Sequence, residues 1–430
     1  MIPAAQLDYW VLSPLFVVAG FAILGLILEA ALGRRYRFVV QAISTAVGLL
    51  AAQVVSDQVY GDHGTPEEAS HVARGAVEAE GAVTVDGPGV VTWIMLLVFA
   101  LLSLGLFAER RFEAGMSPFT GRAADIPGSD EETQAVQHRL EHTEVFPLML
   151  FALSGMMLFA TANDLITMFV ALEVLSLPLY VLCALSRRRR LISQEAAMKY
   201  FLLGAFSSVF FLYGAALAYG YSGSLNLTII DEAVSARADS GGLLLVAMAM
   251  IAVGLLFKIG AVPVHAWTPD VYQGAPTPVT GFMAAATKAA AFIALMRVFF
   301  VAFGGASWDW RPTFWVVAVI TMVFGSVVAI AQTDVKRMLA YSSIAHAGFL
   351  LVGFSAAYVG IADDAALTSV SSVLFYLVVY GVATIGAFAV VSVVRDSAGE
   401  TTHLAKWAGL GQRSPWLAGT FALFMLSFAG

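Results

Sequence analysis

Apolar runs of about twenty residues recur from one end of the chain to the other, and each can cross a hydrocarbon layer of about 30 Å as a helix. Inside a bilayer only helices and closed barrels satisfy every backbone N–H and C=O, so this recurrence leaves few folds open. Barrel strands would instead alternate apolar and polar residues over about ten positions. The predicted spans are 9–31, 38–56, 89–108, 145–161, 165–186, 196–219, 242–260, 278–300, 313–331, 337–357, 366–394 and 415 onward. The expected fold class is therefore an all-α polytopic membrane protein with eleven complete spans and the start of a twelfth. Composition agrees: 59% of residues are hydrophobic and 12% charged, where soluble domains hold about 25% charged residues.

The placement of charge predicts the topology. Sixteen Lys and Arg residues sit in alternate loops: Arg34, Arg35, Arg37; Arg110, Arg111, Arg122, Arg139; Arg187 to Arg190; Lys336, Arg337; and Arg395, Lys406, Arg413. The opposite loops hold only Arg74, Arg237 and Arg311. By the positive-inside rule the first set is cytoplasmic and the N-terminus lies outside. "SRRRR" is then a topology determinant rather than a nucleic-acid patch, and no nucleic-acid partner is expected. The loops 58–88 and 109–142, rich in acidic and small residues, read as solvated segments on the outer and inner sides.

Residues 1–8 carry no basic cluster, so the first run is expected to be a retained helix and not a signal peptide. The last run, "SPWLAGTFALFMLSFAG", meets Gly430 with no closing charge or interfacial aromatic, which predicts a chain that continues by at least half a helix. The single cysteine, Cys183, lies within a span. It supports no disulfide framework, zinc cluster or iron–sulfur ligand set, so any redox cofactor is expected in a partner.

Four of the 23 cationic residues fall inside spans: Lys199, Lys258, Lys288 and Arg297. Lys199 and Arg297 lie near helix ends, where long side chains snorkel to water, and read as anchors, with a site role for Lys199 left open. Lys288 stands about ten residues into "PVTGFMAAATKAAAFIALMR", roughly 15 Å deep at 1.5 Å per residue. Lys258 ends an apolar run that Gly260 and Pro263 then break, and broken backbone at membrane depth is tolerated only inside protein or beside a wet cavity. Glu173, in "DLITMFVALEVLSLPLY", is the one acid at comparable depth, and the cheapest arrangement pairs it with a lysine of another helix.

A static ion pair is one reading of these charges. The other is a proton-transfer site, because one carboxylate cannot balance two buried lysines. His346 lies at similar depth, with Tyr341, Ser342 and Ser343 about one turn before it, and is either a relay or a packing residue. His265, in the broken region, either links the two lysines or caps the interrupted helix. His265 and Asp270 fall short of a metal site, lacking further ligands nearby. Glu29, near the inner end of the first span, reads as interfacial.

The segments "FVALEVLSLPLYVL", "KYFLLGAFSSVFFLYGAALAYG", "FKIGAVPVHAWTPDVYQGAPTPVTGFMAAATKAAAF" and "DVKRMLAYSSIAHAGFLLVG" resemble subunit N of respiratory complex I, the proton-pumping NADH:quinone oxidoreductase, over about 145–430. This is an antiporter-like family related to Mrp-type cation/proton antiporters. The resemblance implies a fourteen-helix fold with inverted five-helix repeats, and hence regions 1–142, 143–305 and 306–430. Position by position, it implies that Glu173, Lys258 and Lys288 translocate protons and that His265 is the histidine joining the seventh and eighth helices; the residues themselves, apart from the resemblance, leave His265, His346, Lys199, Tyr341 and Ser342 as possible relays. A further lysine of a broken twelfth helix would follow Gly430. NADH, flavin, iron–sulfur clusters and quinone would belong to partner subunits, with none in this chain. The implied partners are the antiporter-like and small membrane-arm subunits and the lipid of a bacterial inner membrane. A stand-alone Mrp-type antiporter subunit is the alternative, and a non-conducting anchor a third.

Overall fold

A computed structural model describes residues 7–62, 76–111, 117–119, 129–138, 140–187, 190–237, 241–357, 364–396 and 399–429. Among them, ten helices are long and apolar enough to cross a membrane, and two shorter apolar helices accompany them. Each falls on one of the twelve predicted spans. The first group is α1 (Ser13–Ala31), α2 (Arg34–Asp62) and α3 (Gly87–Phe107). A hairpin of β1 (Ala76–Glu78) and β2 (Val83–Val85) precedes α3 within the predicted 58–88 loop, and α4 (Asp130–Gln137) follows it within the predicted 109–142 loop. The rest of both loops lies largely outside the described residues.

Next come α5 (Val145–Thr161), α6 (Leu165–Cys183), α7 (Arg190–Ser222), α8 (Leu227–Ser235) and α9 (Gly241–Ile259). Short α10 (Trp267–Gly274) leads into a long rod made of α11 (Thr277–Phe282), a wide π turn at Met283–Thr287, α12 (Lys288–Arg297) and a second π turn at Val298–Ala302. The chain continues through α13 (Ser307–Ile330), α14 (Val335–Ala357) and α15 (Asp364–Val393). A two-residue ladder of β3 (Arg395–Asp396) and β4 (Gly399–Glu400) precedes α16 (Leu404–Trp407), α17 (Leu410–Arg413) and α18 (Pro415–Ala429). The two hairpins are the only named strands among the described residues, and sequence periodicity gave no sign of segments so short.

Helix starts follow local chemistry. Asp86 caps α3 by accepting from Gly89 N–H, and Asp164 caps α6 by accepting from Ile166 and Thr167 N–H. Asn226 does the same for α8 and also donates to Gly81 O, as does Asn163, which ties the first hairpin to the bundle. The rod 277–302 forms the centre: 89% of its apolar window is buried, against 22% for the window that includes α13. α1 and α2 are also largely exposed, and their apolar outer faces suit lipid or neighbouring helices.

Close helix approach is written in small residues. A Cβ on Gly155 of α5 would sit 2.8 Å from Leu175 Cα, so the two backbones touch there. Gly155→Leu is expected to separate α5 from α6 and lower stability by about 1–3 kcal/mol. A shift in the unfolding midpoint of the detergent-solubilised chain measures it, and an unchanged midpoint would refute the contact.

Candidate functional site

α9 ends because Gly260 takes φ +80°, the left-handed turn that suits glycine. Its N–H still reaches Leu256 O at 2.9 Å. Three residues on, Pro263 follows a cis bond and brings no N–H to continue the helix. Side chains close the gap: Val262 N–H donates to Thr321 Oγ1 at 3.1 Å, and the Trp267 indole donates to Phe257 O at 2.8 Å. One N–H and one carbonyl freed at the break thereby find partners inside the protein.

Lys258 projects from the last turn before this break and is 3% exposed. Its ammonium donates to Ser176 Oγ at 2.6 Å and lies over the rings of Tyr180 and Tyr200, at 5.6 and 5.4 Å from their centres. Hydroxyl and ring faces hold an ammonium without a counter-ion. Tyr200 is itself fixed by stacking on Trp267, 4.7 Å between centroids, so the break and the cage are one unit.

Glu173 does not touch Lys258 directly. It stands one turn before Ser176 on α6, on the same face, half-buried and within electrostatic reach of the lysine. Among the described residues it makes no ion pair or hydrogen bond. The expected carboxylate–lysine contact is thus replaced by a serine, with the carboxylate one turn away. The Ser176 hydroxyl donates in turn to Leu172 O.

Lys288 follows directly on the π turn in the central rod and is 3% exposed. It donates to Ser343 twice, to the backbone carbonyl and to Oγ, the latter at 2.6 Å, and lies 5.2 Å from the Tyr380 ring centre. The wide turn shifts the helical register beside the lysine, as π turns at functional positions do. One turn beyond Ser343 on α14, His346 Nδ1 lies 2.5 Å from Tyr376 Oη, and its ring packs on Tyr380 at 4.9 Å. The ordered groups from Lys288 to Tyr376 therefore run across three elements: α12, α14 and α15.

The other expected residues fall elsewhere. His265 packs on Phe324 of α13, 4.7 Å between ring centres, and no hydrogen bond joins it to either lysine among the described residues. Tyr341 is also on the α13 side, 6.4 Å from the Phe324 ring, and Ser342 is only half-buried. It is Ser343, one position further round the helix, that faces Lys288. Lys199 pairs with Glu195 and with Asp270, which also pairs with Arg337 at 2.7 Å. That cluster joins α7, α10 and α14.

Two charges are more buried than their positions along the helices predict. Glu29 is 8% exposed and accepts from Arg37, Gln41 and Thr143, clamping α1, α2 and the start of α5. Beside it, a hydrogen bond from His142 holds the Glu144 carboxyl below its usual range. Arg297 does not snorkel: it is 7% exposed, donates to Asp86 at 2.7 Å and to Ala160 O at 3.0 Å. Arg297→Ala strands the Asp86 carboxylate and is expected to cost on the order of 3 kcal/mol. Arg297→Ala with Asp86→Asn should recover part of that loss in a denaturation series, and strict additivity would refute the pairing.

Sequence reasoning missed Ser176, Tyr180, Tyr200, Tyr376 and Tyr380. Only Ser176 left a signal, its three-residue spacing from Glu173.

A bundle of apolar helices, with one lysine at a helix break and another beside a π turn, is the antiporter-like membrane fold. Residues 162–430 match the family described as NADH:quinone oxidoreductase/Mrp antiporter, TM. NADH-quinone oxidoreductase subunit N of a Nocardioides species is 56% identical over 424 residues, 98% of this chain and 79% of that one. A chain of respiratory complex I from Thermus thermophilus with bound aureothin superposes with a TM-score of 0.70 at 33% identity, over 96% of this chain and 78% of that one. A chain of the Mrp complex from a Dietzia species shares the fold, with a TM-score of 0.76 at 22% identity over 99% of this chain and 72% of that one. The chain belongs to the NADH-quinone oxidoreductase subunit N family.

Proposed function

We propose that this chain moves protons as a membrane-arm subunit of NADH:quinone oxidoreductase, through Glu173, Lys258 and Lys288. The observation that carries this reading is a pair of lysines, each 3% exposed, whose ammonium groups hydrogen-bond only to serine oxygens among the described residues. A static structural charge would be cheaper beside a carboxylate. An amine held by hydroxyls and rings is instead free to give up or take a proton without stranding a counter-ion.

In this reading Glu173 is the group that senses a neighbour. It is the half-exposed member, and a charge change in an adjoining subunit acts on it first. Lys258 then shifts between Ser176 and Glu173, and the altered field drives proton exchange at Lys288 and on to His346. NADH, flavin, iron–sulfur clusters and quinone belong to partner subunits, among them other antiporter-like and small membrane-arm subunits. The basic loops face the cytoplasm of a bacterial cell, the N-terminus lies outside its inner membrane, and residues 143–305 and 306–430 form two repeats after an N-terminal region of 1–142.

Isolation from native membranes tests this. Co-purification with a flavin- and iron–sulfur-containing hydrophilic arm is expected. A stable preparation that exchanges protons for another cation without that arm would favour an Mrp-type antiporter.

A further inference from the structure

On the basic-loop face, a cavity of about 200 Å³ opens between the break after α10, the start of α14 and the β3–β4 hairpin. Glu400 lines it, and lines a second, smaller cavity toward Glu109 as well. Its Oε1 accepts from Thr277 Oγ1 at 2.7 Å. Thr277 is the first residue of the rod that carries Lys288. Lys336, 3% exposed, donates to Ala275 O at 2.7 Å and to Thr277 Oγ1 at 3.2 Å, which fixes the threonine in the cavity wall.

From Thr277 a run of polar groups leads inward. Thr280 is one turn on, on the same face, and its Oγ1 lies 3.3 Å from Tyr272 O. Tyr272 itself is buried, and Ser343 beyond it holds Lys288. Thr287, two turns beyond Thr280, has a buried hydroxyl with no protein partner among the described residues. A buried hydroxyl of that kind is normally satisfied by water. The distance along the rod from Thr277 to Lys288 is roughly 16 Å at 1.5 Å per residue.

We infer that Glu400 is the carboxylate through which protons pass from the basic-loop side toward Lys288. This rests on the proton-translocating reading above. The step conserves bonds: Glu400 gains a proton from cavity water and turns from acceptor to donor toward Thr277 Oγ1. Glu400 gives that proton to Thr277 Oγ1 and returns to carboxylate as Thr277 passes its own hydroxyl proton to water on the Lys288 side; each water oxygen then gains one proton and loses one past the Thr287 hydroxyl, and the neutral Lys288 amine takes the last proton to become an ammonium. The charged groups facing Glu400 are Lys336 from α14, Arg395 and Asp396 from the hairpin, Lys406 after it and Glu109 after α3. Asp396 is paired with Lys406 at 2.5 Å.

Glu400→Gln keeps an acceptor for Thr277 and removes only the protonation. In the whole complex, assayed in sealed vesicles with quinone turnover and proton movement read together, pumping by this variant should fall about 100-fold, the low end of the range for a lost proton-transfer group. The deficit should be largest when the basic-loop side is alkaline and shrink as that side is acidified, and Glu400→Asp should retain most of the rate. A Glu400→Cys variant labelled with an impermeant carboxylate-bearing thiol reagent should regain rate, and a cationic reagent should not; the native Cys183 is buried. Wild-type pumping by Glu400→Gln at every pH, with Lys288→Met inactive in the same assay, overturns this inference alone. Wild-type pumping by both variants overturns the underlying reading and this inference with it. If Glu400→Gln does not assemble, the labelled cysteine variant decides: equal rates with either reagent overturn the inference.

Discussion

Lys288→Met is expected to abolish coupled proton pumping while leaving the subunit folded and assembled. The lysine sits at the buried centre of the bundle with Ser343 and the Tyr380 ring as neighbours, and no carboxylate is stranded when it is removed. The cost to stability is then that of an unpaired buried Ser343 group, about 1–3 kcal/mol, and not the larger penalty of an isolated buried charge. Methionine also fills similar space with a flexible apolar chain. Lys288→Arg separates charge from proton transfer, because arginine keeps its proton in proteins. Both variants should lose pumping by at least about 100-fold, the scale of a missing general acid–base group. Fluorescence quenching of a pH probe in membrane vesicles measures it. Normal pumping by Lys288→Arg would show that only the charge matters.

Changes at Glu173 and Ser176 should impair the protein in opposite directions. Glu173→Gln leaves Lys258 held by Ser176 and removes the alternative partner. Ser176→Ala removes the hydroxyl at 2.6 Å and hands Lys258 to the carboxylate one turn away. A hydrogen bond to a charged group contributes about 1.5–3 kcal/mol, enough to move a two-position equilibrium by roughly tenfold or more. Each substitution alone should therefore slow coupled turnover about tenfold. The pair should not add, because both act on one lysine. Infrared difference spectra with labelled glutamate give an independent readout: Ser176→Ala should increase the ion-paired carboxylate signal. Full additivity in the rates would count against a shared switch.

Depth was legible in the sequence, and direction was not. The apolar runs placed every span, and the glycine and prolines after Lys258 marked the break that the structure contains. Counting residues put Lys258, Lys288, Glu173 and His346 at membrane depth. What counting could not supply was rotation about each helix. α6 is apolar nearly all round, so beyond the three-residue spacing that puts Ser176 near the face of Glu173, its pattern does not show that Ser176 and not the carboxylate meets Lys258. The same limit left Tyr341, Ser342 and Ser343 undistinguished in the sequence, where the structure turns Ser343 to Lys288.

Partners distant in sequence were the other gap. Arg297 read as a surface anchor because Asp86, 211 positions away, gave no sign of pairing with it. Glu29 read as interfacial because its third partner is Thr143, 114 positions on. Both charges are buried because other segments of the chain neutralise or hydrogen-bond them, and only the folded bundle brings those segments together. The tyrosines that surround the lysines were invisible for a related reason: in an apolar span an aromatic residue reads as packing until a cation is placed against its face.

The most direct measurement is the ratio of protons moved to NADH oxidised by the purified, fully assembled complex in liposomes, compared between the natural chain and Lys258→Met. The expected result is a variant whose pumping is lost, with NADH oxidation either slowed alongside it or running at a reduced ratio. A Lys258→Met complex that keeps both the natural rate and the natural ratio would contradict proton translocation through this chain.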